Sequence, residues 1–172
     1  IYTANEVDKR CANGKASKAD ANIRKFNALT GELIWQRDYT CYYRSGINGG
    51  VLGTPLLGKD DIADRIIFPV CFTGSQMDGK LVALDKKTGE EIWVRHLENY
   101  SWSSPVAIKD EDGKTYGLLC GYDGYMRLFD PMTGEDLDKI SLGANIESSP
   151  SVYNDIVVVG SYARKIFGVR IK

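Results

Sequence analysis

The chain has 172 residues, 43% of them hydrophobic and 26% charged, with a formal net charge of −1, a composition that suits one globular domain with a sizeable core. The balanced charge argues against a nucleic-acid partner, and no apolar run approaches the roughly 18–20 residues of a membrane span. No signal-peptide pattern opens the sequence, which says little of a chain that need not start at a natural beginning. The 18 Gly, 5 Pro and 10 Tyr, with β-branched runs between turn residues, point to an all-β chain.

In chain order, a short strand at the start is followed by a polar insertion, "DKRCANGKASKADAN". Then comes "IRKFNALTGELIWQRDY" (23–39), and after a loop "YYRSGINGG" the element "GTPLL" (53–57). An apolar run "RIIFPVCF", a turn at Asp78-Gly79 and "LVALDKKTGEEIWVRHL" (81–97) complete a unit. The next unit repeats it with "SSPVA" (103–107), "TYGLLCGY", Asp123-Gly124 and "MRLFDPMTGEDLDKISL" (126–142). A last partial unit has "SSPSV" (148–152), "DIVVVGSY" and the turn "YARK". Asp-Gly at both positions predicts tight type I′ hairpins.

Thr-Gly recurs at Thr30-Gly31, Thr88-Gly89 and Thr133-Gly134, so the intervals are 58 and 45 residues. Trp35 and Trp93 follow their Thr by five residues, and Asp138 holds that place in the third copy. Four short strands at this period predict a β-propeller of four-stranded antiparallel blades, while period-2 alternation excludes a helical solenoid. The predicted blades are 1–39 (partial), 40–97, 98–142 and 143–172 (partial), one segment of about three and a half blades over 1–172. A Trp on an outer strand buries about 1.5–3 kcal/mol of apolar surface. Asp and Thr side chains can hold the turn, and Gly allows close approach.

The series Ala83-x-Asp85-x-x-Thr88-Gly89-x-x-x-Trp93 resembles the tryptophan-docking motif of the quinoprotein-like (PQQ-binding-like) β-propeller repeat family. The first copy keeps Thr30, Gly31 and Trp35 with Lys25 and Asn27 in place of Ala and Asp. The third keeps Asp130, Thr133 and Gly134 and lacks the Trp. The resemblance covers nearly the whole chain and is specific for fold more than for function. It implies half of a ring of seven or eight blades, and thus the C-terminal part of a longer propeller, or two chains pairing to approximate a ring. Open faces and edges of such a half-ring invite self-association.

The family's enzymes are similar in holding a quinone between a Trp and a disulfide of adjacent cysteines, with Ca²⁺ and an Asp base. Cys11, Cys41, Cys71 and Cys120 are not adjacent. Trp35 and Trp93 belong to docking motifs, which leaves Trp102 as the one indole that could stack on a planar ligand. No catalytic, cofactor or metal residue is therefore assigned. His96, the sole histidine, reads as a solvated outer-strand residue, and "KDEDGKT" (109–115) as a turn without a Ca²⁺ ligand set. Cys71 and Cys120 read as buried thiols; Cys11 and Cys41 lie in polar stretches and could pair in an oxidising compartment.

The expected contact surface is the inner strands and the loops that enter them: Tyr42, Tyr43, Arg44 and Asn48, then Tyr100, Trp102 and Ser103, then Asn145, Glu147 and Ser148. The resulting expectation is a non-catalytic propeller scaffold that binds a protein or glycan. The resemblance is to the family's outer-membrane assembly lipoprotein group, which is bacterial, exported and scaffolds proteins. Free-looking cysteines speak against export. The rival readings are a quinone-dependent dehydrogenase with its cofactor residues outside this chain, and a sensor that binds a small ligand in the funnel.

Overall fold

The computed structural model describes residues 1–8, 17–44 and 46–171. Sixteen strands run through them, all paired antiparallel, with one short 3-10 turn at Asp60–Ile62. The first sheet joins β1 (Tyr2–Thr3), β3 (Lys18–Phe26) and β4 (Leu33–Tyr42). The second is built on β7 (Arg65–Cys71), β8 (Gly79–Asp85) and β9 (Glu91–Leu97), with the short β5 (Gly49–Gly50) and β6 (Leu56–Leu57) pairing β7. The segment β2 (Glu6–Val7) pairs β5, so the start of the chain reaches across into this second sheet. The third sheet has β10 (Val106–Lys109), β11 (Thr115–Cys120), β12 (Tyr125–Phe129) and β13 (Asp136–Ser141) in order. The fourth has β14 (Ser151–Tyr153), β15 (Ile156–Ser161) and β16 (Lys165–Arg170). These are propeller blades, and the chain is a partial propeller.

Each central strand is apolar because both of its faces are covered. All seven residues of β7 are buried. Ile66, Phe68 and Val70 pack with Ala21, Ile23 and Trp35 of the first sheet. On the other face Ile67 joins Leu81 and Ala83 against Leu119 and Phe129 of the third sheet. Leu118 and Cys120 then meet Val157 and Val159 of the fourth. This alternation is what stacks the sheets face to face.

The outer half of the first two seams is fixed by the Thr-Gly turn. In the second sheet, Asp85 Oδ1 accepts the Lys87 and Thr88 N–H groups at 2.7 Å each, and Thr88 Oγ1 accepts Glu90 N–H at 3.1 Å. Asn27 and Thr30 hold the first turn the same way; in the third, Asp130 Oδ1 accepts Met132 N–H and Thr133 Oγ1 accepts Glu135 N–H, while Thr133 N–H bonds the Asp130 carbonyl. Gly89 has φ +75° and Gly134 φ +80°, the left-handed region where a side chain is strained. Onto each glycine falls an indole from the preceding sheet. A Cβ built on Gly89 would lie 2.6 Å from Trp35 Cδ2, and one on Gly134 2.6 Å from Trp93 Cε3. Trp35 Nε1 donates to the Lys86 carbonyl at 3.3 Å, and Trp93 Nε1 to the Pro131 carbonyl at 2.9 Å.

Two arginines complete the clasp. Arg37 Nε donates to the Gly89 carbonyl, and Arg95 Nη1 to the Gly134 carbonyl at 2.7 Å. Arg95 also pairs with Asp136, and Tyr39 donates to Glu91 Oε1 at 2.6 Å across the first seam. A third arginine, Arg65, is 4% exposed and donates to the Pro131 and Met132 carbonyls at 3.1 Å each. On the inner side the Ser/Thr-Pro strands link blade to blade. Thr54 N–H donates to Ser104 Oγ and Ser104 N–H to Ser149 Oγ, both at 2.9 Å. The third seam has no indole: Asp138 lies on β13, whose six residues are all exposed.

The Asp-Gly turns differ from the expected type I′ geometry. Asp123 does not adopt positive φ and Gly124 alone does, at +80°. At the other site neither Asp78 nor Gly79 is left-handed; Asp78 Oδ1 instead accepts the Gly74 and Ser75 N–H groups and organises a wider loop, with the positive φ at Phe72. Cys41, Cys71 and Cys120 are free and buried, and Cys11 lies outside the described residues.

Three outcomes are expected. Gly89→Ala and Gly134→Ala should each destabilise by about 1–3 kcal/mol more than Gly31→Ala in chemical denaturation, because all three suffer left-handed strain and the first two also collide with an indole. The Thr88 and Lys87 N–H groups hold the Asp85 carboxyl below the usual carboxylate range. That contribution is complete above the unfolded-state value of about 3.9 and disappears as pH falls through the lower folded value, so Asp85→Asn should flatten the acid limb of the stability curve. Burial pushes the thiols of Cys41, Cys71 and Cys120 up to about 12. A thiol reagent at pH 8 should therefore label these three after denaturation and leave them intact in the folded protein.

Candidate inner-rim site

Where the inner strands begin, aromatic side chains from three sheets converge. Phe72, Tyr100 and Cys71 form a buried cluster, with Tyr42, Ile47, Met77, Trp102 and Tyr122 partly buried against it. Tyr100 stacks on Tyr122 with centroids 4.6 Å apart, meets Phe72 edge-on at 4.9 Å and lies 5.2 Å from Trp102. The backbone places them: Tyr100 N–H donates to the Met77 carbonyl, and Tyr122 N–H to that of Tyr100. Phe72, at φ +62°, bonds Asp78 through its N–H and accepts the Tyr42 N–H. A non-glycine residue so twisted is held by its surroundings, here the loop that carries its ring to Tyr100.

The predicted contact residues divide. Tyr100 is 2% exposed, so it is a wall of the rim and not a contact; it fills the inner end of the junction between blades, and desolvation pushes its phenol up to about 12. Ser103 is fully buried as well. Tyr42, Tyr43, Arg44 and Trp102 are half-buried, as are Asn48, Asn145 and Glu147, and Ser148 is exposed. The Arg44 guanidinium carbon is 5.9 Å from the Phe72 ring centre. Glu147 accepts the Tyr162 hydroxyl at 2.8 Å and, with Ser148, lines a groove of about 380 Å³ beside Lys165. Asn48 donates to Glu6 at 3.0 Å.

Several polar atoms at this rim are shielded from solvent without a hydrogen-bond partner among the described residues: Arg44 Nε, Trp102 Nε1 and Thr73 Oγ1. A buried donor left so costs about 1–3 kcal/mol. The docking residues, Thr30, Gly31, Trp35, Asp85, Thr88, Gly89, Trp93, Asp130, Thr133 and Gly134, lie in the outer turns and seams and take no part in the rim. His96 is exposed on β9, and no group of three or more His, Cys, Asp or Glu is placed to hold a metal among the described residues. The quinone set implied by the resemblance does not fit. No two cysteines are adjacent, and Trp102, the indole outside the seams, packs on Tyr100.

Sequence reasoning missed Arg37, Arg95 and Arg65. The first two were signalled by their equal spacing, two residues after Trp35 and Trp93. Arg65 has no counterpart in the other repeats to reveal it. Phe72 and Tyr122 were also missed, since each reads as the end of a core strand.

No family model matches the sequence. The chain is 25% identical over 92% of its length to the outer membrane protein assembly factor BamB of Kangiella koreensis, and spans 46% of that protein. It is 30% identical over 78 residues to a quinoprotein ethanol dehydrogenase of Pseudomonas aeruginosa, covering 12% of that enzyme. The chain thus spans less than half the length of these curated relatives. Among solved structures, BamB from Moraxella catarrhalis superposes with a TM-score of 0.60 at 19% identity, over 98% of this chain and 42% of that one. The computationally designed Ika4 protein gives 0.56 at 16% identity, over 92% of this chain and 88% of that one. Glycine-docked indoles at repeating turns, sheets stacked in a partial ring and relatives of both kinds agree: the chain is a partial β-propeller whose repeats are similar to those of quinoprotein-like propellers.

Proposed function

We propose that this segment belongs to a non-catalytic propeller scaffold that binds a protein partner at its inner rim, through Tyr42, Tyr43, Arg44 and Trp102. One observation carries the reading: the rim holds an arginine Nε and an indole N–H with no partner among the described residues, beside half-buried aromatic surface. Arginine, tryptophan and tyrosine in a partly desolvated setting are the residue types that dominate protein interfaces. A carbonyl or carboxylate of a partner would satisfy both donors. The similarity to assembly factors supports a scaffold role and an exported protein, at the periplasm or the cell surface. The dehydrogenase relatives share the repeat, but the quinone-holding groups are not among these residues.

The test places a photo-cross-linking residue at position 44 or 102 and, as control, at position 92 on an outer strand. Cross-links to one protein at the rim positions, and none at 92, are expected. Addition of pyrroloquinoline quinone and Ca²⁺ with saturable cofactor absorbance would instead favour the enzyme reading. Capture of glycan in place of protein on an array would redirect the partner class. Arg44→Ala with Trp102→Phe should reduce partner binding by at least about tenfold without change in the unfolding midpoint.

A further inference from the structure

The deeply seated arginines of the seams each meet a carboxylate: Arg65 that of Asp64, Arg95 that of Asp136, and Arg127 those of Asp123 and Asp136. Arg44 at the inner rim does not. It enters no ion pair among the described residues, and its Nε is shielded from solvent without an acceptor. Its guanidinium carbon lies 5.9 Å from the Phe72 ring centre, a face that holds the cation in place without neutralising it. The carboxylates of the rim are engaged elsewhere. Glu6 accepts the Asn48 amide at 3.0 Å, Glu147 the Tyr162 hydroxyl at 2.8 Å, and Asp78 the Gly74 and Ser75 N–H groups at 2.9 and 3.0 Å. Lys18, with Nζ 5.9 Å from the Tyr42 ring centre, adds positive charge to the same end.

We propose that the rim selects an acidic segment of its partner: an Asp or Glu carboxylate pairs with the Arg44 guanidinium, and a neighbouring main-chain carbonyl of the same segment takes the Trp102 indole N–H. The proposal rests on the reading of the rim as a protein-binding surface. Guanidinium and indole donate hydrogen bonds and accept none, so their complement is a group of lone pairs. A carbonyl suffices for the indole. It leaves the guanidinium charge uncompensated, and a cation drawn out of water against an aromatic face is stabilised chiefly by an anion in hydrogen-bonding geometry. The two donors border one aromatic cluster, Arg44 on the Phe72 ring and Trp102 5.2 Å from Tyr100, with Phe72 and Tyr100 4.9 Å apart. A few residues of extended chain, at about 3.3 Å each, span that cluster.

The probes are two short peptides, capped at both ends, that differ only in a central glutamate or glutamine, titrated into the ¹⁵N-labelled 172-residue chain. Saturable shifts of the Arg44 Nε–H and Trp102 Nε1–H resonances are expected with the glutamate peptide, and about tenfold weaker binding with the glutamine one. Added salt should weaken the first and leave the second unchanged. Arg44→Gln should erase the preference for glutamate while the Trp102 shift persists, and Trp102→Phe should weaken both peptides alike; an intact amide spectrum elsewhere confirms each fold. Equal affinity of the two peptides, no saturable shift at Arg44 Nε–H, or inorganic phosphate binding more tightly than the glutamate peptide at the same resonances would each overturn the proposal. Cross-linking from position 102 separates it from the reading beneath it. One protein captured equally by the parent chain and by Arg44→Gln would keep the protein-binding rim and overturn the carboxylate; a preference for glutamate with no protein captured would keep the carboxylate dock and overturn the protein partner.

Discussion

The contact of an indole face with a glycine Cα governs this structure. It demands three conditions at once: a glycine in the left-handed region, an acceptor for the indole N–H, and a turn stiff enough to present both. The carboxylate or amide at the first turn position and the threonine at the fourth supply the stiffness through two or three local hydrogen bonds of ordinary strength. Each is worth about 1 kcal/mol at most, and the seam depends on their acting together. The flat apolar faces behind the clasp would stack in many registers. The clasp selects one.

The seams and the rim divide the chemistry of the protein. In the seams polar groups reach partners on the neighbouring sheet: an arginine a glycine carbonyl, a tyrosine a glutamate, an amide N–H a serine. At the rim the aromatic rings satisfy one another by edge and stack, but Arg44 and Trp102 keep donors that the described residues do not match.

Much of the fold was legible because repetition multiplies a weak signal. One Thr-Gly or one tryptophan means little, whereas the recurrence of Thr-Gly at residues 30, 88 and 133 revealed the repeat and the architecture. What stayed hidden depends on contacts between repeats. Tyr100 reads as a loop aromatic by its neighbours Asn99 and Ser101, yet three sheets close over it. Asp78-Gly79 has hairpin chemistry, but the Asp78 carboxylate is drawn to two earlier N–H groups and a wider loop results. Arg65 occupies the first place of an apolar strand, where a charge suggests the surface; its three-carbon stem lets it cross a seam that no single repeat displays.

The clasp also has a direction. Trp35 and Trp93 point toward the C-terminal neighbour, and Gly89 and Gly134 face the N-terminal one; the serine links run the same way. Such a head-to-tail joint is heterologous: nothing in its chemistry counts units or tells the chain when to stop. The size of a closed ring must then be decided by the wedge angle between successive sheets, so a change of side-chain bulk near the axis could alter blade number while every clasp stayed as it is.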